Sequence, residues 1–95
     1  MDMKEAVEEI LNGVETGRVF DSHFVVNELI EKHSDQYIRL AAQYATGGEP
    51  TLSTHQEIGR IIKGFVGILV KRLDNESWSL TIHHTPGKCA LWLKL

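Results

Sequence analysis

Apolar residues at Met3, Ala6, Val7, Ile10 and Leu11 recur three and four positions apart in MDMKEAVEEILNG, the spacing of one buried helix face. Acidic residues fill the first turns, where the helix dipole favours them, and Gly13 supplies a stop. Glu5, Glu8 and Glu9 then form a solvated outer side. The β-prone GRVF at 17–20 predicts a short strand or extended connector, running into Asp21 and Ser22, either of which can cap the next helix. From there Val26, Leu29, Ile30, His33, Tyr37, Leu40, Ala41 and Tyr44 keep the same spacing. The unbroken phase favours one continuous helix over 22–46; the capping pair Ser34 and Asp35 offers the alternative of two helices, 22–33 and 35–45, with a bend. ATGGEPT at 45–51 ends this region.

The stretch TLSTHQEIGRIIKGFV at 51–66 carries two overlapping capping boxes, Ser53 with Gln56 and Thr54 with Glu57, which place a helix start at 53–54. Ile58, Ile61, Ile62 and Phe65 form its buried stripe, leaving Gln56, Arg60 and Lys63 together on the opposite side. Beyond Gly64 and Gly67, ILV favours a strand at 68–73, DNES at 74–77 reads as a turn, and TPGK at 85–88 as a second turn. A hairpin of WSLTIHH and CALWLKL about that second turn pairs Leu80 with Leu93, Ile82 with Leu91 and His84 with Cys89, and these join Trp78 on one apolar face. Ser79, Thr81, His83, Ala90, Trp92 and Lys94 then occupy the other face, where Trp92 requires cover from the domain, a second subunit or a ligand.

At 95 residues, 42% hydrophobic and 24% charged, with no linker or repeat, the chain is expected to form one domain spanning 1–95. It is α+β, with three to four helices and a C-terminal antiparallel β-hairpin or three-stranded meander. No stretch is apolar enough for membrane insertion, and a single cysteine, Cys89, suits a reducing compartment, so a cytoplasmic protein is expected. Charge is uneven. Residues 1–35 hold three basic and nine acidic groups, net −6; residues 36–95 hold seven basic and four acidic, net +3, which together give the overall −3. Excess positive charge, the electrostatic footprint of a nucleic-acid binder, is thus confined to the second part.

The order helix, short strand, helix, helix, hairpin resembles the winged helix-turn-helix superfamily, most closely in IGRIIKGFVGILVKRLDNESWSLTI: a helix, a glycine-containing exit, a strand, a charged tip and a returning strand. The resemblance implies a winged-helix-like, DNA-binding domain of a transcriptional regulator. It assigns groove contacts to Ser53, Thr54, His55, Gln56, Arg60 and Lys63, and backbone contacts to Lys71, Arg72, Asn75 and Lys88. Glutamine pairs with adenine and arginine with guanine, while lysines neutralise phosphates.

A second reading uses the same scaffold for protein interaction or homodimerisation. Val26, Ile30, His33, Tyr37 and Tyr44 form a stripe suited to a helix–helix seam, and Trp92 adds an aromatic anchor. Their alternative use is the domain's own core. His83, His84 and Cys89 suggest a metal, but adjacent strand residues point to opposite faces and no ligand spacing completes a tetrahedral set, so no metal or other cofactor is expected. Asp21, Ser22 and His23 carry the letters of a catalytic triad in an order too close for its geometry, and Gly47 and Gly48 lack a P-loop lysine, so no enzymatic activity is expected.

Overall fold

In a computed structural model of residues 1–95, four helices pack against a three-stranded antiparallel sheet. Helix α1 (Met3–Asn12) opens with a capping box: the Glu5 amide donates to Asp2 Oδ1 at 2.8 Å and the Asp2 amide to Glu5 Oε1 at 3.3 Å. Ala6, Val7, Ile10 and Leu11 face the core, as their spacing requires. GRVF contributes a real strand, β1 (Val19–Asp21), and Asp21 ends it by capping helix α2 (Ser22–Lys32) through the Phe24 amide, 2.8 Å away.

The continuous helix over 22–46 does not form. His33 leaves helical geometry at φ −136°, ψ 48°, and helix α3 (Ser34–Gln43) begins immediately after it. The unbroken apolar phase concealed the bend because both halves turn their stripes to the same core. The bend places the His33 imidazole, only 12% exposed, 3.6 Å from Glu9 of α1.

Helix α4 (Pro50–Lys63) starts one turn before the expected capping boxes, with Pro50 in the first turn where its missing N–H costs nothing. Neither capping box forms. Thr54 is instead fully buried, its hydroxyl donating back to the Pro50 carbonyl at 2.7 Å. Ile58 and Ile62 are completely buried and Phe65 nearly so, while Ile61 packs at the core margin. The chain then turns sharply through Gly67, whose φ of +83° disfavours any side chain, into β2 (Val70–Leu80).

The hairpin departs most from expectation. Strand β3 (Pro86–Lys94) is central in the order β1-β3-β2, and DNES lies inside β2 as a bulge: Arg72 pairs with Trp92 and Glu76 with Ala90, so residues 73–75 face Leu91 alone. The sheet is therefore not a meander of strands 68–73, 78–84 and 89–95. The turn is the segment 81–85, closed by the Thr81 amide donating to the Thr85 carbonyl at 2.9 Å and by a 3.0 Å contact between their hydroxyls, with His84 in left-handed geometry at φ 58°. Pro86 survives as the first residue of a strand, where it disturbs least.

This different register replaces the expected buried set. Trp92 is 2% exposed and Lys94 8%, whereas Trp78 is 66% and Leu80 54% exposed. Phe20, opposite Trp92 on β1, and Val70, opposite Lys94 on β2, are buried with them. No helix is long and apolar enough to cross a membrane.

Candidate nucleic-acid interface

Helix α4 has two chemically distinct sides. Thr54, Ile58 and Ile62 anchor the inner one, and Gln56, Arg60 and Lys63 are exposed on the other. The Arg60 guanidinium is held at 2.6 Å by Glu57 one turn earlier. Both groups reach solvent, so the pair orients Arg60 without contributing much stability.

Not every expected groove residue reaches the surface. Thr54 is enclosed in the core, and Ser53 is partly covered. His55 is half-buried, its Nε2 2.8 Å from the Tyr37 hydroxyl of α3, with the two rings 5.8 Å apart. These residues position the helix; Gln56, Arg60 and Lys63 form its accessible polar side.

Burial pushes the His55 imidazole below its ordinary pKa, with the nearby His23 and His83 charges acting in the same direction. Burial likewise raises the Tyr37 phenol. In the Nδ1–H tautomer the neutral phenol donates to a bare Nε2; protonation of His55 reverses that bond and places a charge on a half-buried ring, which burial opposes. With the folded pKa depressed, the unfolded chain binds the proton more readily, so this stabilisation is complete above the unfolded value of about 6.5 and is lost as pH falls through the lower folded value. Urea midpoints are therefore expected to fall below pH 6.5 in the wild type. Subtracting the His55→Gln profile isolates this contribution, and parallel profiles for the two proteins would assign the pH dependence elsewhere.

On the hairpin, Lys71, Arg72, Asn75 and Lys88 are all exposed. Arg72 and Lys71 lie at its base, next to the turn that follows Lys63, not beside the tip as the expected DNES turn implied. Arg72 stacks 5.5 Å over the buried Trp92, and Lys88 lies 5.2 Å over the exposed Trp78. Asn75 projects from the bulge.

The interface stripe has a different fate. Val26 and Trp92 are buried within this chain; Ile30, Tyr37 and Tyr44 pack against the same core, and His33 is tucked beside α1. Their helical spacing serves packing within this chain, with Val26 and Trp92 enclosed and Ile30, Tyr37 and Tyr44 partly buried at the core margin. A concavity of about 830 Å³ lies between α1, β1 and α2, where Ile10, Val19 and Phe24 mix with Glu9, Arg18 and Lys32; no α4 or hairpin residue lines it.

One cluster escaped sequence reasoning. Asp21 and His23, at the start of α2, meet Cys89 from the central strand, with one potential donor atom from each within 4.8 Å of the others. His23 Nδ1 lies 2.6 Å from Ser79 Oγ, and Ser77 donates to Asp21 Oδ2 at 2.8 Å. Burial alone would raise the Asp21 carboxyl, but the Phe24 amide and the Ser77 and Ser79 hydroxyls outweigh it and hold the group below its usual range. Burial pushes the Cys89 thiol up despite nearby amides at His23 and Ser22, so this is not a preformed thiolate nucleophile. The signal was the DSH triplet at 21–23; its third partner is set by strand pairing, which places Cys89 opposite Ser77 instead of His84.

Compared with protein-family models, with curated proteins and with solved structures, the chain finds no match.

Proposed function

We propose that this chain is a winged-helix-like domain of an intracellular transcriptional regulator, binding double-stranded DNA with α4 in the major groove and the β2–β3 hairpin against the backbone. The observation that carries the reading is the joint exposure of Gln56, Arg60 and Lys63 on α4, whose opposite side is anchored by Ile58 and Ile62. The order of elements and the β1-β3-β2 sheet are compatible with it.

Gln56 supplies an amide able to pair with adenine, and Arg60 a fork able to pair with guanine. Because its bond to Glu57 is exposed, Arg60 gives up little when it turns to a base. Lys63, Lys71, Arg72 and Lys88 supply phosphate neutralisation. A local net charge of +3 over residues 36–95 permits such contacts although the whole chain is acidic.

Duplex binding followed by fluorescence anisotropy across a salt series tests this reading. Affinity should fall linearly on logarithmic axes as salt rises. In Arg60→Ala/Lys63→Ala it should drop roughly 5- to 150-fold, and the salt slope should lose up to about two units. Absent or salt-insensitive binding, with the fold verified by circular dichroism, would sink the DNA reading and favour a protein partner.

A further inference from the structure

We propose that Asp21, His23 and Cys89 form a binding site for a divalent zinc-class metal ion. The three side chains provide oxygen, nitrogen and sulfur donors, a set that suits Zn²⁺ and its spectroscopic substitute Co²⁺ better than the hard ions Mg²⁺ or Ca²⁺. Their potential donor atoms already lie within 4.8 Å of one another. Metal–ligand bonds of roughly 2.0–2.3 Å put tetrahedral donors about 3.3–3.8 Å apart, so closing around the ion takes side-chain adjustments on the order of 1 Å.

The fold assembles this set from distant parts of the chain. Asp21 ends β1 and caps α2, His23 occupies the first turn of that helix, and Cys89 comes from β3, the strand that pairs with β1. All three are partly buried, so the site is shielded yet reachable. Ser77 and Ser79 on β2 already hydrogen-bond the carboxylate and the imidazole. With Nε2 of His23 left for the ion, these serines are outer partners of the kind that orient metal-binding side chains. Three protein ligands leave a fourth tetrahedral position for water or a small ligand.

The expectation of no metal weighed His83 and His84 with Cys89. His84 lies in the turn and Cys89 pairs with Ser77, so the register separates that pair and brings His23 to the thiol instead. A bound ion would fasten the start of α2 to the central strand. None of the residues assigned to DNA contact takes part, so the metal site and the DNA reading stand or fall separately.

The test is titration of the full chain with Co²⁺ and then Zn²⁺. One equivalent of Co²⁺ should bind with a thiolate-to-metal charge-transfer band in the near ultraviolet and the intense visible bands of four-coordinate cobalt; Zn²⁺ should displace it and raise Tm. Cys89→Ser should abolish the charge-transfer band, and His23→Gln should weaken binding by at least the roughly 10- to 100-fold that loss of an outer partner costs. His83→Ala/His84→Ala should leave both unchanged. X-ray absorption of the zinc-loaded wild type supplies a measurement independent of any variant, with one sulfur per metal expected. A spectrum with no sulfur neighbour, or cobalt binding unaltered by Cys89→Ser and His23→Gln, would overturn the site.

Discussion

Trp92→Ala is expected to destabilise the protein by about 3–5 kcal/mol, the range for truncating a large buried aromatic. The indole is 2% exposed on the central strand, opposite Phe20 on one neighbour and Arg72 on the other. Its Nε1 donates to Ser22 Oγ at 3.0 Å, tying β3 to the first turn of α2. Truncation therefore opens a cavity, removes the surface on which Arg72 stacks, and leaves the Ser22 hydroxyl without that donor. Small domains are typically stable by only about 5–15 kcal/mol, so this single change consumes a large share. At roughly 4–8 °C per kcal/mol, Tm should fall by about 12–40 °C. Trp92→Phe retains most of the apolar burial and should cost clearly less.

Fluorescence supplies a separate check. Trp78, 66% exposed, is the other tryptophan, so Trp92→Phe should leave only red-shifted, readily quenched emission. A loss below about 1 kcal/mol in Trp92→Ala, outside the range for a buried aromatic, would contradict the burial of this side chain.

Ile62→Ala carries the second large effect, about 2–5 kcal/mol, because the side chain is wholly buried where α4 meets the rest of the core. Gln56→Ala, on the exposed side of the same helix, should stay within about 0.5 kcal/mol. The contrast separates packing from recognition. In the DNA reading, Gln56→Ala lowers discrimination between duplex sequences with no change in stability, and Ile62→Ala lowers stability first, visible in the urea midpoint. Equal stability losses for the two variants would mean that α4 does not have one packed and one free side.

The two helices flanking the chain's middle were legible from spacing alone. Met3, Ala6, Val7, Ile10 and Leu11 pointed to α1, and Ile58, Ile62 and Phe65 to α4, because a helix repeats its contacts every three or four residues and burial follows that local period. The polar side of α4 came with it: once the isoleucines turn inward, Gln56, Arg60 and Lys63 must turn out. The start of α4 was less legible. Hydroxyl residues at 53 and 54 match a cap, but Pro50 already satisfies the first turn and leaves Thr54 to be buried.

What the amino-acid order determined by itself was therefore the α+β class, the inner and outer sides of α1 and α4, and the concentration of positive charge after residue 35. The bend at His33, the use of Tyr37 and Tyr44 as core packing, the burial of Trp92 and the meeting of His23 with Cys89 were decided only in three dimensions. Helical periodicity is local, whereas strand register depends on which partner offers the best burial across the sheet. The bulge at residues 73–75 and the turn at 81–85 set that pairing, and with it both the buried indole and the neighbours of the thiol.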